Sequence, residues 1–212
     1  RGFCAGADMQ GLSNIASSGG KTPDRDPRGY LYPMSIGKPI IAAIHGPCYT
    51  IGLQQALCCD LRFAARDARF ALPYAKRGLV AEVGISWQLS RIIGMPNTMD
   101  LLLSGRTVGG EEALRLGLVN RPVEPDELLQ RAFEYCATLA AECSAWSMRT
   151  IKQQVYHDLM TSLPTAFAKS EEWLKEALAG PDFAEGVAAF RDKRPAVFPG
   201  LSEKLGRLDP WP

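Results

Sequence analysis

Histidine is scarce in this chain of 212 residues, and paired cysteines are missing. Only His45 and His157 occur, and the six cysteines, at positions 4, 48, 58, 59, 136 and 143, form no C-x-x-C pair. A zinc site with the usual Cys and His spacing is therefore excluded. Several of the cysteines lie in apolar stretches, where a free thiol behaves as a small hydrophobic group. We therefore expect reduced cysteines in a cytoplasmic protein.

Strong net charge and long apolar runs are also missing. The formal net charge is +1, so bulk electrostatics favour neither nucleic acid nor an anionic membrane. No basic run or aromatic-basic ladder indicates a nucleic-acid module, and no apolar run approaches the length of about 20 residues that a membrane span needs. We expect a protein that binds neither. The sequence opens abruptly on Arg1 and enters a glycine-containing motif at once, so we also expect that residues precede it.

Strands alternate with helices in the first part of the chain, and helices alone follow. A short, continuous apolar run predicts a buried strand at residues 39–44, and further short strands are predicted at residues 61–65, 68–72 and 118–123. Helical spacing predicts helices at 52–59, 85–93, 98–103 and 109–116, and then at 126–143, 145–160, 165–179 and 184–190. The Ser/Gly/Pro-rich stretch 16–38 predicts a long loop. We expect an α/β core over residues 1–123 and a helical segment over residues 124–212.

Two glycine-containing turns form the candidate site. The first is Phe3-Cys4-Ala5-Gly6-Ala7-Asp8, where a strand enters a tight turn, and the second leads from residues 39–44 to Ile51-Gly52 at the start of a helix. Small residues allow a ligand to approach the main chain, and a strand that feeds a helix aims free N–H groups outward. Two such groups that converge on one oxygen make an oxyanion hole, although two ordinary strand-helix turns would look the same.

Four segments, in order, resemble the signature stretches of the enoyl-CoA hydratase/isomerase (crotonase) family. FCAGAD resembles F-x-A-G-A-D, and KPIIAAIHGPCYTIGLQQALCCDLRFAARDARFALP resembles K-P-x-I-A-A-x-x-G with its following helix, C-D-x-x-x-A and A-x-F-x-x-P. LLLSGRTVGGEEALRLGLVNRPV resembles a stretch that contains A-x-x-x-G-L-V, and AEGVAAFRDKR resembles the E-G-x-x-A-F-x-x-K-R tail. The resemblance covers nearly the whole chain. It implies a spiral of ββα units, followed by a helical segment that trimerises the protein.

The resemblance also implies roles for individual residues. Ala5 and Ile51 match the two backbone N–H donors that hold the thioester oxygen, and Gly52 follows the second donor in its helix. Phe190 and Lys193 match tail positions that lie near the CoA moiety, sometimes across a subunit boundary. Four further residues match the turn that lies along the acyl-CoA substrate: Cys4, Gly6, Ala7 and Asp8.

Both glutamates of a typical hydratase are replaced in this sequence. Gln54 stands at the first position, in the helix after the second donor, and Tyr74 stands at the other, directly after Pro73. Since neither side chain is a carboxylate base, hydration by two glutamates is not expected. Gln54 is then a substrate- or water-binding residue or a structural amide. Tyr74 is a phenol that orients a water or the substrate carbonyl, or a packed aromatic ring.

One carboxylate remains in a suitable place. Glu82 lies eight residues after Tyr74, an offset at which dienoyl-CoA isomerases of the family carry an acidic residue. Because Val80 and Val83 flank it, we expect partial desolvation, which raises the pKa of a carboxyl group toward the range of acid-base catalysis. The hypothesis is that Glu82 transfers the proton, and the alternative is a solvated charge on a loop.

The resulting hypothesis is an enzyme that stabilises a thioester enolate, with Glu82 as acid and base, and isomerises or hydrates an enoyl-CoA. The resemblance implies coenzyme A as part of the substrate, no separate cofactor, no metal, and a homotrimer or hexamer. Two alternatives stay open. One is hydrolysis or decarboxylation on the same scaffold, which product analysis would identify. The other is a non-catalytic acyl-CoA binder, which would bind without proton exchange.

Overall fold

The computed structural model of the chain describes residues 2–22, 27–202 and 207–208. Two units can be distinguished. The first comprises Arg1–Pro33 and Ile41–Ala132, and the second comprises Met34–Ile40 and Phe133–Pro212. The division expected at residue 123 lies within the first unit, after its last strand, and as a boundary between functional domains it stays a prediction.

The strands of the first unit form two small sheets. Within the described residues, these strands are β1 (Ile41–Ile44), β2 (Pro47–Tyr49), β3 (Leu61–Ala65), β4 (Arg69–Ala71), β5 (Thr107–Gly109) and β6 (Arg121–Val123). One sheet has the order β1-β3-β6 and is parallel throughout. The other has the order β2-β4-β5, in which β2 and β4 are parallel and β5 is antiparallel to β4.

The helices of the first unit connect these strands. They are α1 (Met9–Ser17), α2 (Ile51–Leu57), α3 (Ile85–Ser104), α4 (Gly110–Arg115) and the start of α5 (Leu128–Glu142), with 3-10 helices at Pro27–Ser35, which runs into the second unit, and at Ala75–Arg77. Thus β1, β2 and α2 are followed by β3, β4 and α3. Because β1 pairs with β3 and β2 pairs with β4, each strand of one ββα unit lies beside the corresponding strand of the next unit in the same sheet.

The interior of the first unit is built from alternate faces of these short strands. Ile44 of β1, Phe63 of β3 and Phe70 of β4 are each at most 1% exposed, and Leu53 and Leu89 reach the same interior from α2 and α3. Alternate residues of β1 are buried, and so are four of the five residues of β3. The continuous apolar run that predicted β1 therefore agrees with its position in a parallel sheet.

The second unit is helical. It contains α6 (Ala145–Asp158), α7 (Leu163–Ala179) and α8 (Pro181–Arg191). Ser144 and Ser162 precede α6 and α7, and each side-chain oxygen accepts a hydrogen bond from a backbone N–H in the first turn, which satisfies an unpaired donor there. Pro181 begins α8, where a missing N–H costs nothing. The three helices predicted here from spacing are confirmed.

Three sequence-based expectations need correction. The loop expected at residues 16–38 holds the end of α1 and the 3-10 helix Pro27–Ser35, while positions 23–26 lie outside the described residues. Strand β2 was not predicted, since three residues carry no readable alternation. The helices expected at 85–93 and 98–103 form one span, α3, which is interrupted at Gly94. Gly94 has the non-helical angles φ 75° and ψ 161° and lies two residues before Pro96.

In the described part of the chain, no helix combines the length and apolarity that crossing a membrane requires.

Candidate active site

The first glycine-containing turn is joined to β2 by backbone hydrogen bonds. The Cys4 N–H donates to the Pro47 carbonyl oxygen, and the Tyr49 N–H donates to the Cys4 carbonyl oxygen, each with an N···O distance of 2.9 Å. Cys4 and Cys48 form an isolated parallel bridge. This pairing brings residues 4–6 alongside residues 49–52, so the two predicted turns lie together.

Glycine allows the two turns to approach closely. A Cβ on Gly52 would overlap the Cys4 Cβ, and it would lie 3.1 Å from the Cys4 sulfur and 3.2 Å from the Cys4 carbonyl oxygen. Gly6 has a φ of 92°, and a Cβ there would lie 2.7 Å from the Thr50 hydroxyl oxygen. Any larger side chain at either position would force the turns apart.

Helix α2 begins at Ile51 with strained backbone immediately before it. Thr50 has a φ of 45° and a ψ of −109°, and its side chain makes no capping hydrogen bond. Its N–H donates to the Ala71 carbonyl oxygen at 3.0 Å, which ties the turn to β4. Residues held in such sparsely populated conformations cluster at functional sites. The sequence alone gave no sign of this strain.

The two expected donors are available on this surface. Among the residues that the structure describes, none accepts a hydrogen bond from the N–H of Ala5 or of Ile51. The first N–H groups of a helix have no partner within the helix, and the helix dipole places partial positive charge at its N-terminus. Ala5 is exposed and Ile51 is half-buried. The turns therefore present two N–H groups that can donate hydrogen bonds to an oxygen atom of a ligand.

Ala7 and Asp8 lead out of the first turn into α1. Both residues are exposed. The Asp8 carboxylate accepts a hydrogen bond from the Gly11 N–H at 2.9 Å and caps α1. Because a capping carboxylate fixes the start of a helix, Asp8 holds the exit of the turn in place.

Gln54 is buried in α2, with only 1% of its surface exposed. Its Nε2 lies 3.3 Å from the Cys58 sulfur and 3.4 Å from the Val83 carbonyl oxygen. Its Oε1 accepts a hydrogen bond from Gln55 Nε2 at 3.0 Å. Both ends of the amide are therefore engaged by protein groups.

Tyr74 is also buried, with 3% exposed. Burial raises the pKa of its phenol, and the charge of Glu82 raises it further, so the phenol stays neutral and keeps its proton. Within the described part of the chain, its buried hydroxyl has no hydrogen-bond partner. Such a group usually has a reason in strain, water or function.

Glu82 lies near Tyr74, but its environment differs from the expectation. The side chain is exposed, not partly desolvated, so that expectation is wrong. The physical reason is that the loop turns its apolar residues outward, with Leu79 48% and Val80 81% exposed. The Glu82 carbonyl oxygen accepts a hydrogen bond from the Ile85 N–H at 3.1 Å, which joins the loop to the start of α3.

Phe190 and Lys193 belong to the second unit. Phe190 is 89% exposed near the end of α8, and the exposed Lys193 follows with a φ of 53°. Phe190 also lines a groove of about 800 Å³ together with Trp146 and Phe198. Their exposure leaves both side chains open to a ligand or to another protein surface.

Known proteins are similar to this chain over most of its length. A protein-family model described as enoyl-CoA hydratase/isomerase matches residues 1–201. The mevalonyl-coenzyme A hydratase of Aspergillus fumigatus is 34% identical over 195 residues, which cover 91% of this chain and 72% of that protein. The short-chain-enoyl-CoA hydratase of Clostridium acetobutylicum is 30% identical over 195 residues, which cover 92% of this chain and 74% of that protein.

Solved structures show the same similarity. The crystal structure of an enoyl-CoA hydratase from Polaromonas sp. JS666 superposes with a TM-score of 0.86 at 27% identity, over 93% of this chain and 78% of the other. That of the enoyl-CoA hydratase EchA1 from Mycobacterium marinum gives 0.74 at 34% identity, over 78% of this chain and 67% of the other.

The chain therefore belongs to the enoyl-CoA hydratase/isomerase family. It is an acyl-CoA-handling enzyme of this family, and the crotonase-like fold expected from the sequence is confirmed. The parallel pairing of successive ββα units is the feature of that fold seen in β1 to β4.

Proposed function

We propose that this enzyme stabilises a thioester enolate between the N–H groups of Ala5 and Ile51, and that Glu82 transfers the proton. The observation that carries the proposal is the close approach of Gly52 to Cys4, which brings the two turns side by side. Preorganised donors that face a developing oxyanion lower the barrier because they need no reorganisation during the reaction.

The proposed reaction moves a proton between carbon atoms of an enoyl-CoA. The Glu82 carboxylate takes a proton from the carbon next to the thioester carbonyl, and the electron pair of that C–H bond enters the enolate. The enolate oxygen accepts hydrogen bonds from Ala5 and Ile51. Return of the proton to a carbon further along the chain shifts the double bond and regenerates the carboxylate. Since one acid performs both steps, this scheme favours isomerisation over hydration by two carboxylates.

Hydration remains part of the proposal in a form that uses Tyr74. Its neutral phenol donates a hydrogen bond to a water or to the substrate while Glu82 exchanges the proton. The unpartnered hydroxyl and the nearby charge of Glu82 support this role. The chemistry uses backbone donors, a carboxylate and a phenol. It therefore requires no cofactor other than the coenzyme A of the substrate.

Substrate binding is proposed for two parts of the chain. The exposed edge of the first turn, at Gly6, Ala7 and Asp8, lies along the acyl-CoA. Phe190 and Lys193, exposed in the second unit, contact the CoA moiety by stacking and by charge, respectively. The aromatic face of Phe190 suits a base, and an ammonium group suits a phosphate.

We further propose a cytoplasmic homotrimer or hexamer. The six cysteines are all free thiols, which suits a reducing compartment. Large apolar side chains are exposed along α7 and α8, and contiguous exposed apolar surface marks interaction sites. Fractionation and light scattering test the two parts of this proposal separately.

Deuterium uptake tests the enolate mechanism. The protein is incubated in heavy water with enoyl-CoA thioesters of graded chain length, including 3-butenoyl-CoA and 3-hexenoyl-CoA, and the products are read by mass spectrometry. We expect deuterium at the carbon next to the thioester, and loss of this exchange in Glu82→Gln. Glu142→Gln is the matched control, since Glu142 is an exposed carboxylate in the second unit. Saturable binding without exchange would overturn the mechanism, and release of free CoA would identify hydrolysis instead.

A further inference from the structure

We infer that Gln54 is a positioning residue, which fixes Glu82 by holding the carbonyl group of the next residue, Val83. This inference rests on the proposed function, because it assumes that Glu82 transfers the proton. Gln54 stands where a typical hydratase has a glutamate, and its amide donates a hydrogen bond that an ionised glutamate could not donate. The contacts of the amide, the shape of the loop and the burial of Gln54 carry the argument.

The loop after Glu82 has a backbone that needs external support. Val83 has a φ of 53°, and Gly84 follows with a φ of 71°. A β-branched residue in the left-handed region is a genuine outlier, and such conformations persist only where surrounding contacts enforce them. One described hydrogen bond acts on the Val83 carbonyl oxygen, which accepts from Gln54 Nε2, and one acts on the Glu82 carbonyl oxygen, which accepts from the Ile85 N–H. Glu82 therefore lies in a turn that is held from α2 on one side and from α3 on the other.

The orientation of the Gln54 amide is set by its neighbours. Gln55 Nε2 donates to Gln54 Oε1 at 3.0 Å and also contacts the Tyr30 carbonyl oxygen at 2.5 Å. With Oε1 so engaged, Gln54 Nε2 faces the Val83 carbonyl oxygen and the Cys58 sulfur. Burial raises the pKa of the Cys58 thiol, so this neighbour stays a neutral thiol. The amide donates where the loop needs a donor.

A carboxylate at residue 54 would reverse this arrangement. An ionised carboxylate only accepts hydrogen bonds, whereas Gln54 Nε2 points at an oxygen and a sulfur. Repulsion from the Val83 carbonyl oxygen would release the turn that holds Glu82. Gln54→Glu is therefore expected to lower turnover, although it restores the residue of the two-glutamate pattern.

A double-mutant cycle tests the inference. Gln54→Met keeps the size and removes the donor, and its exchange kinetics with 3-hexenoyl-CoA in heavy water are compared with those of the parent and of Glu82→Gln. We expect kcat to fall by on the order of 10²-fold with KM nearly unchanged. In the Glu82→Gln background the same change should have little further effect on the slow residual exchange, because groups that act as a unit are not additive.

The matched control is Gln88→Met. Gln88 is buried too, and its Nε2 also contacts the Cys58 sulfur, at 3.2 Å. Gln88→Met therefore removes a buried amide and a contact to the Cys58 sulfur, as Gln54→Met does. It leaves the Gln54–Val83 hydrogen bond in place. We expect Gln88→Met to lose stability to a similar degree and to retain kcat.

The outcomes separate this inference from the proposed function. If Glu82→Gln keeps its exchange, the proposed function fails. If Glu82→Gln loses exchange while Gln54→Met retains it, or if Gln54→Met and Gln88→Met lose kcat equally, Gln54 has no positioning role and only the inference fails. A gain of hydration in Gln54→Glu would likewise overturn it.

Discussion

Gly52 lies so close to Cys4 that a side chain at position 52 would overlap the Cys4 Cβ. This contact joins the start of α2 to the turn that carries Ala5. The separation of the two proposed oxyanion donors is therefore set by the close packing of the Gly52 main chain against Cys4. The proposed oxyanion hole therefore requires glycine at residue 52, since even the methyl group of alanine would overlap Cys4.

We predict that Gly52→Ala leaves a folded protein with little activity. The added methyl group pushes residues 4–6 away from the helix, and removal of a single oxyanion donor typically costs 10²–10³-fold in kcat, so about that loss is expected. Turnover of 3-hexenoyl-CoA and circular dichroism measure the two effects.

The control for this change is Gly109→Ala. Gly109 has no neighbour within 4 Å of the added Cβ and an ordinary φ of −86°. Its substitution should leave kcat unchanged. Equal activity of the two variants would contradict the proposed geometry of the oxyanion hole.

Tyr74→Phe is predicted to increase stability and to reduce activity. A buried hydroxyl without a protein partner costs roughly 1–3 kcal/mol, so we expect a gain of about 1 kcal/mol on its removal. If the phenol donates to water or substrate, kcat falls by about 10²-fold, the lower end for a positioned proton donor. Denaturant unfolding and turnover measure both quantities.

Two outcomes would contradict the prediction for Tyr74. Full activity in Tyr74→Phe would return this residue to the role of a packed aromatic ring. A loss of stability would show that its hydroxyl has a structural partner.

Much of the fold was predictable because periodicity records burial. Helices α6, α7 and α8 carry helical spacing over several turns, and the apolar run of residues 39–44 indicates a strand, in which Ala42 and Ile44 are buried. Strand β2 escaped prediction because Pro47–Tyr49 is too short to show alternation. Its partners at Arg69–Ala71 are fixed by tertiary packing that a local pattern does not record.

The candidate site was predictable only where the main chain carries it. Gly6 and Gly52 lie where an added side chain would collide with the facing turn, and the approach of a ligand to these glycines stays a prediction. The exposure of Glu82 was not predictable, because apolar neighbours in sequence do not determine which way a loop faces. The link from Gln54 to Val83 spans 29 positions, so no local pattern contains it.

The C-terminal tail is predicted to loosen at acid pH. Glu185 accepts hydrogen bonds from both terminal nitrogens of Arg194, at 2.6 and 2.8 Å, and from the Val197 N–H at 2.7 Å. Arg194 first, and then the Val197 N–H, lower the pKa of Glu185 from 4.5 to about 2. This carboxylate therefore contributes stability above its unfolded pKa, and the contribution is lost as pH falls from about 4.5 toward 2.

Hydrogen exchange at Val197 measures this loss. We expect the protection factor of its amide, corrected for intrinsic exchange, to fall across that pH window. In Glu185→Gln it should be low at all pH values and nearly independent of pH. Protection that persists at pH 2 in the parent protein would mean that other contacts hold the tail.

Helix α7 carries the prediction about assembly. Leu163, Phe167, Leu174 and Leu178 are between 49% and 82% exposed, and their spacing of four, seven and four residues places them on one face of the helix. If copies of the chain assemble through this stripe, a carboxylate at Phe167 would be buried without a partner, which opposes association.

We therefore expect the parent protein to have the mass of a trimer or hexamer in light scattering, and Phe167→Glu to shift toward the monomer. Ala168→Glu is the matched control, because it adds the same charge at the next exposed position, about a quarter of a turn away from the stripe. If both variants dissociate, net charge is responsible, and if neither does, the interface lies elsewhere. A monomeric parent would exclude the assembly itself, and the exposed face of α7 would then need another partner.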